Sequence, residues 1–279
     1  NCRKIYIANG KIQACQIDEA CTLHKNDDSF EHMVQPKMVY LSQPTELGTL
    51  YTKKELEEIR SICDKHELYL FVDGARLGYG LAAQGNDVDM KTLAKLTDGF
   101  YIGGTKVGAL FGEAVVIRHP ALQKDFRYMI KQKGGMLAKG RLLGVQFETL
   151  FEEDRYMEIS RHAARLAEKL KDELSAIGVT FMVDSPSNQQ FPILPNRVLK
   201  ELKKKYSKEE FFKEEEEADG DVLLATRYAV GEGEGTFSVY YPDEVGNSSM
   251  LDMANQALGE ILSQNQMTPQ KGVAEWKEI

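Results

Sequence analysis

No run of apolar residues in this 279-residue chain approaches the ~20 that a membrane-crossing helix requires, so a membrane span is not expected. No CxxC pair and no His at zinc-finger spacing accompany the four cysteines, Cys2, Cys15, Cys21 and Cys63. That pattern argues against a structural zinc site and for a reduced, cytoplasmic chain. No basic stripe interleaves with aromatics, which sets nucleic acid aside as a partner. Asn1 runs into Cys2, Arg3, Lys4 and a short IYI with no long apolar stretch, so no secretory signal is visible. His24, His32, His66, His119 and His162 fall on polar or helix-end positions, where metal ligation is not expected. Trp276, the single tryptophan, sits in a polar tail.

What is present is the composition of a folded protein. Apolar residues make up 42%, with 12 Phe and 12 Tyr, enough for a real core in one large domain or two ordinary ones. Acids outnumber bases 43 to 35, and the surplus is local: eight acids face one base, Lys213, between Glu209 and Asp221, so −7 of the net −8 lies in thirteen residues. Such a tract reads as a solvated helix end or loop, a docking site for a basic partner being the alternative.

Over the first 120 residues, short β-branched or aromatic runs alternate with helical periodicity. Residues 38–41 (MVYL) read as a strand. Residues 53–66 carry Leu56, Ile59, Ile62 and Cys63 at helical spacing, with Thr52 and Glu55 as a capping box. Residues 68–72 (LYLFV) form a continuous apolar strand, suited to the centre of a parallel sheet covered on both faces. Strands at 99–102 and 112–117 follow a helical stretch that ends near Leu96. This alternation predicts an α/β sheet, with chemistry in the loops beyond its strands' carboxyl ends. From 120 to 177 three long helical stretches are expected, broken at Gly134-Gly135 and near Glu153-Asp154. Then come strands at 179–183, 190–194 and 222–225 and helices at 197–206 and 250–262, a smaller α+β unit. The predicted division is a large domain over 1–120, interdomain helices over 121–157 and a small domain over 158–279.

Two residues at strand ends could carry chemistry. Asp73 follows an apolar strand and precedes Gly74, so its carboxylate either needs a cation such as Arg76 or caps the next helix through backbone N–H groups. Lys106 lies between Gly103-Gly104-Thr105 and Val107-Gly108, where small neighbours leave it uncrowded; it is a surface charge or a nucleophile. GGTKVG does not satisfy the phosphate-loop pattern GxxxxGK[ST]. Together, an acid and a lysine at neighbouring strand ends suit pyridoxal phosphate, whose aldehyde takes a lysine and whose ring nitrogen takes a carboxylate.

The segments YLSQPTELGTLYTKKEL, FVDGARL, YIGGTKVGALFGEAVV and MLAKGRLLGVQFETLF, in that order, resemble the threonine aldolase group of the β-eliminating lyase superfamily. The match covers roughly residues 1–205. The resemblance implies the fold-type I architecture of pyridoxal phosphate enzymes, a mostly parallel sheet in a large domain plus a smaller α+β domain. It implies that Lys106 bonds the cofactor aldehyde, that Asp73 pairs with the ring nitrogen, and that Thr105 lies near the phosphate. Arg76 would hold the substrate carboxylate, and Gln43, Thr45 and Glu46 would occupy the loop that approaches the ring and the substrate hydroxyl, where Glu46 or a water accepts the β-hydroxyl proton.

The implied reaction is cleavage of the Cα–Cβ bond of threonine or allo-threonine to glycine and acetaldehyde, in a homodimer or homotetramer. A β-eliminating lyase or racemase on the same scaffold is the alternative, and a catalytically silent dimerisation module the alternative of another class. Two departures from the family stand out. The small-residue phosphate loop and the ring-stacking His of the family's N-terminal segment are not recognisable, so the chain is expected to begin partway through the large domain. In LLATRYA, Leu223 stands where the family has a carboxylate-binding Arg, which leaves Arg227 as the candidate. GEGEGTF (residues 231–237) reads as a flexible loop, and Lys139 and Arg141 as a solvated face or a phosphate approach.

Overall fold

The computed structural model of the chain describes residues 9–195 and 197–199, together with strand backbone at 221–223, 226–227, 232–233 and 236–237. Two compact units divide it between Arg161 and His162.

In the first unit, α1 (Ala14–Asn26) precedes a four-stranded sheet of β1 (Met38–Ser42), β2 (Tyr69–Asp73), β3 (Gly99–Gly103) and β4 (Glu113–Ile117), side by side in that order. The first three strands are parallel and β4 runs antiparallel to β3. Parallel neighbours need crossovers, which α2 (Lys53–Lys65) supplies between β1 and β2, and α3 (Leu77–Ala82) and α4 (Met90–Leu96) between β2 and β3. The fold is the α/β class expected from the alternation.

Helix α2 starts where Thr52 accepts the Glu55 N–H and the Glu55 carboxylate receives the Thr52 N–H at 2.8 Å, the predicted capping box. Its apolar stripe, Leu56, Ile59 and Cys63, is no more than 1% exposed. That stripe belongs to a core with Leu70 and Val72 of β2, Leu77, Leu93 and Phe100. Each such side chain stabilises the fold by about 1.5–3 kcal/mol. Arg60 ties the layer together, donating to Asp98 at 2.8 Å and to the Leu68 carbonyl at 3.1 Å, while Asp98 also accepts the Leu70 N–H at 2.7 Å.

The sheet's other face departs from the expectation of two covered faces. Leu70 and Val72 are fully buried, but Tyr69, Phe71 and Asp73, which alternate with them, are half-buried, and Met38, Tyr40 and Val115 are 54%, 53% and 52% exposed. The LYLFV run looks uniformly apolar only because its aromatics count as such; they form a partly solvated row.

The stretch after residue 120 breaks at both predicted places, between α6 (Phe126–Gln132) and α7 (Arg141–Phe151) around Gly134-Gly135, and between α7 and α8 (Arg155–Ala176) at a kink at Glu153 (φ 51°). One further break was not expected: Asp125 in the left-handed region (φ 58°) separates α5 (Pro120–Gln123) from α6. α8 continues into the second unit, with Ala163, Ala167, Leu170 and Leu174 on its buried stripe. There β7 (Pro192–Pro195) pairs antiparallel with β5 (Thr180–Phe181) and β8 (Asp221–Leu223), and β6 (Gln189–Gln190) with β9 (Thr226–Arg227). Residues 231–237, read as a loop, contain an antiparallel pair of β10 (Glu232–Gly233) and β11 (Thr236–Phe237). The helix expected over 250–262, most of that over 197–206, most of the acidic tract and Trp276 lie outside the described residues. Among the described residues no helix is long and apolar enough to cross a membrane.

Candidate active site

Three loops leave the carboxyl ends of β1, β2 and β3. Between the second and third the approach is backbone on backbone. The Gly103 N–H donates to the Gly74 carbonyl at 2.8 Å, a Cβ on Gly74 would lie 1.9 Å from the Tyr101 carbonyl oxygen, and one on Gly103 would lie 2.2 Å from that of Ala75. Only glycine at both positions allows the Asp73 and Lys106 loops to approach this closely. Tyr156 of α8, 1% exposed, fastens both: its hydroxyl donates to the Gly103 carbonyl at 3.0 Å and accepts the Gly78 N–H at 3.1 Å, and burial pushes its phenol pKa well up.

Asp73 bends the chain rather than capping a helix. Its Oδ1 accepts the Ala75 N–H at 3.0 Å, whereas the N-cap of α3 is Arg76, with no side-chain cap bond. Oδ2 accepts the Tyr40 hydroxyl at 2.6 Å. Tyr101 lies beside both groups; burial first, then the Asp73 carboxylate and Tyr40, push its phenol pKa well above the ordinary value. Arg76, whose side chain is 10% exposed, reaches Glu46 at 3.7 Å, and the Glu46 side chain is 77% exposed.

The loop after β1 uses two of its expected site residues on itself. The Gln43 amide clamps the Tyr51 backbone, donating to its carbonyl at 3.1 Å and accepting its N–H at 2.9 Å, and the Gln43–Pro44 peptide is cis. Thr45 shares a 2.7 Å hydrogen bond with the Thr49 hydroxyl and accepts the Thr49 N–H at 3.2 Å. Both residues are 2% exposed. Of the four polar residues in this turn, Glu46 is the one that faces outward.

Lys106 is half-buried, its own carbonyl accepting the Tyr79 hydroxyl, and the Val107 and Ala109 N–H groups close the turn onto the Gly104 carbonyl at 2.9 and 3.0 Å. Glu113, at the start of β4, faces Gly103 across the ladder. Its carboxylate accepts the Gly104 N–H at 2.8 Å and lies 3.4 Å from the Thr105 hydroxyl. Burial holds the Glu113 carboxyl above the usual range, opposed by the Gly104 N–H and the Lys106 ammonium. Glu113, Tyr40, Tyr101 and Tyr156 were not singled out from sequence, because each joins the site through strand register or a distant helix. Arg227 pairs through its backbone with Gln189, and its side chain lies outside the described residues. Lys139 and Arg141 are exposed, and among the described residues no group of three His, Cys, Asp or Glu side chains is disposed to hold a metal.

With this geometry in view, comparison with known proteins is specific. The chain is 31% identical over 173 residues to the low specificity L-threonine aldolase of Pseudomonas aeruginosa, covering 62% of this chain and 50% of that one. It is 31% identical over 197 residues to the enzyme of the same name from a Pseudomonas species, covering 70% and 56%. The chain thus spans about half the length of these curated relatives. A solved threonine aldolase from Leishmania major superposes with a TM-score of 0.78 at 37% identity, over 95% of this chain and 70% of that one. Cystalysin from Treponema denticola, at 13% identity and a TM-score of 0.59 over 94% of this chain and 64% of that one, shares the fold alone. The family model for beta-eliminating lyases matches residues 1–194, and the chain belongs to that family.

Proposed function

We propose that this chain forms the cofactor-binding part of a pyridoxal phosphate-dependent aldolase that cleaves threonine or allo-threonine to glycine and acetaldehyde. One observation carries the reading: the glycine-on-glycine contact of Gly74 and Gly103 holds an acid, Asp73, and an amine, Lys106, on adjoining loops at the carboxyl edge of one sheet. The donor set fits the cofactor. Asp73 has a carboxylate with about four acceptor sites, of which Ala75 and Tyr40 use two and the adjacent Tyr101 hydroxyl can take a third, leaving one for a ring N–H. Lys106 is half-buried among small residues, and the neighbouring Thr105 hydroxyl, 3.4 Å from the Glu113 carboxylate, would have to turn from that carboxylate to donate to the phosphate.

When bound, pyridoxal phosphate supplies an aldehyde that takes amines covalently and a protonated ring that accepts electrons from a breaking bond. This chain's residues do the rest. Lys106 would hold the cofactor through its Nζ, and Asp73 would accept the ring N–H. Arg76 would bind the substrate carboxylate and so orient the substrate. In doing so it exchanges Glu46 for the substrate, and the released Glu46 carboxylate takes the β-hydroxyl proton. Gln43 and Thr45 hold the loop that presents Glu46. A homodimer or homotetramer completes the reading, supported by the exposed apolar side chains of Leu110 and Phe111 in the loop after Lys106.

The test is direct. Pyridoxal phosphate is added, the adduct is locked with borohydride, and the modified peptide is located by mass spectrometry. Modification at Lys106, lost in Lys106→Ala, is expected; equal labelling of the variant sinks the assignment. Threonine as substrate should then give glycine and acetaldehyde, whereas pyruvate and ammonia from serine would identify a β-eliminating lyase.

A further inference from the structure

We propose that Tyr40 is the positioning residue for Asp73, a hydroxyl that aims the carboxylate at the ring nitrogen of the cofactor; this rests on the function proposed above. Tyr40 stands on β1 opposite Phe71, two residues before the Ser42–Asp73 pair, so its hydroxyl reaches along the ladder to the neighbouring strand's end. The 2.6 Å bond to Oδ2 is in the range of charge-assisted O–H···O⁻ bonds, which are shorter and stronger than neutral ones. The Ala75 N–H holds the other oxygen at 3.0 Å. With a donor on each oxygen, and the Tyr101 hydroxyl beside both the carboxylate and Tyr40, rotation of the carboxylate is opposed and its remaining acceptor sites are fixed in direction.

The Tyr40 ring is itself located. It stacks on Phe71 at 5.7 Å with 13° between planes, and Phe71 meets Tyr101 of β3 at 6.1 Å. Three strands thus contribute one aromatic each to a row that ends at the carboxylate. Burial does not account for Tyr40, which is 53% exposed. A Phe would stack equally well on Phe71; the hydroxyl serves Asp73.

Tyr40→Phe removes that hydroxyl and keeps the ring. Affinities are measured for pyridoxal phosphate and for its carbocyclic analogue, in which CH replaces the ring nitrogen and Asp73 has nothing to hold. The wild-type protein should prefer pyridoxal phosphate, and Tyr40→Phe should reduce that preference about tenfold, the effect of one hydrogen bond to a charged group. Tyr69→Phe, on β2 and the same face of the sheet but against His119, should leave it unchanged. If Tyr40→Phe weakens both ligands equally, or neither, Tyr40 is structural and the inference is overturned. If the wild-type protein binds neither ligand, the cofactor reading fails and takes this inference with it.

Discussion

A single methyl group distinguishes two classes of glycine in this chain. At Gly74 and Gly103 an added Cβ would fall 1.9 and 2.2 Å from the backbone oxygens of Tyr101 in β3 and of Ala75 in the turn after β2, contacts with main chain rather than with a flexible side chain. At Gly144, inside α7, nothing lies within 4 Å of the same atom. Gly74→Ala should therefore cost roughly 2–4 kcal/mol, while Gly144→Ala should stabilise by about 0.5–1 kcal/mol through helix propensity; urea unfolding of the two variants checks both signs. The placing of Asp73 and Lys106 at strand ends is legible because small residues around a charge after an apolar run are visible in the chain itself. Gln43 and Thr45 were named for the loop they occupy, and no sequence signal told that their polar atoms turn inward onto Tyr51 and Thr49. Glu113 and Tyr40 reach the site through strand pairing, which only a register reveals.

Helix starts and stops are legible where the chain carries a chemical signal, as at Thr52 and near Glu153-Asp154, and not where one ordinary-looking residue ends a helix. Thr52 and Glu55 announced α2, and the helix begins there. Replacing Thr52 by Ala removes the acceptor for the Glu55 N–H and should lower stability by about 1 kcal/mol, measured as a shift in urea midpoint at unchanged m-value. The break between α5 and α6 left no comparable mark, because Asp125 in the left-handed region looks like any other helix-compatible acid in sequence. The 231–237 segment erred the other way: its glycines suggested a loop, but two residues on each side of residues 234–235 pair as strands.

At the scale of the whole molecule, the loop after Lys106 carries apolar side chains outward. Leu110 and Phe111 are 61% and 44% exposed, and Gln146 docks that loop on α7 by accepting both their N–H groups, beside Leu142 and Val145 at 57% and 52%. A monomer seldom leaves such a cluster to water, and a second copy of the chain is the occupant the proposed assembly requires. The double variant Leu142→Lys, Val145→Glu should shift light-scattering mass toward the monomer with little change in unfolding midpoint; an unchanged mass would place any interface elsewhere.

The crossing of Gly74 and Gly103 also bears on how such a site can diversify. Where side chains set a spacing, substitution adjusts it by degrees. Here two stretches of bare peptide set it, so the separation of acid and amine is inherited whole or lost. Variation among descendants of this chain is then confined to what surrounds the crossing. Glu46, Glu113 and the half-solvated row of Tyr40, Phe71 and Tyr101 border the crossing without forming it, so under the proposed function they are the positions that can change without disturbing the frame.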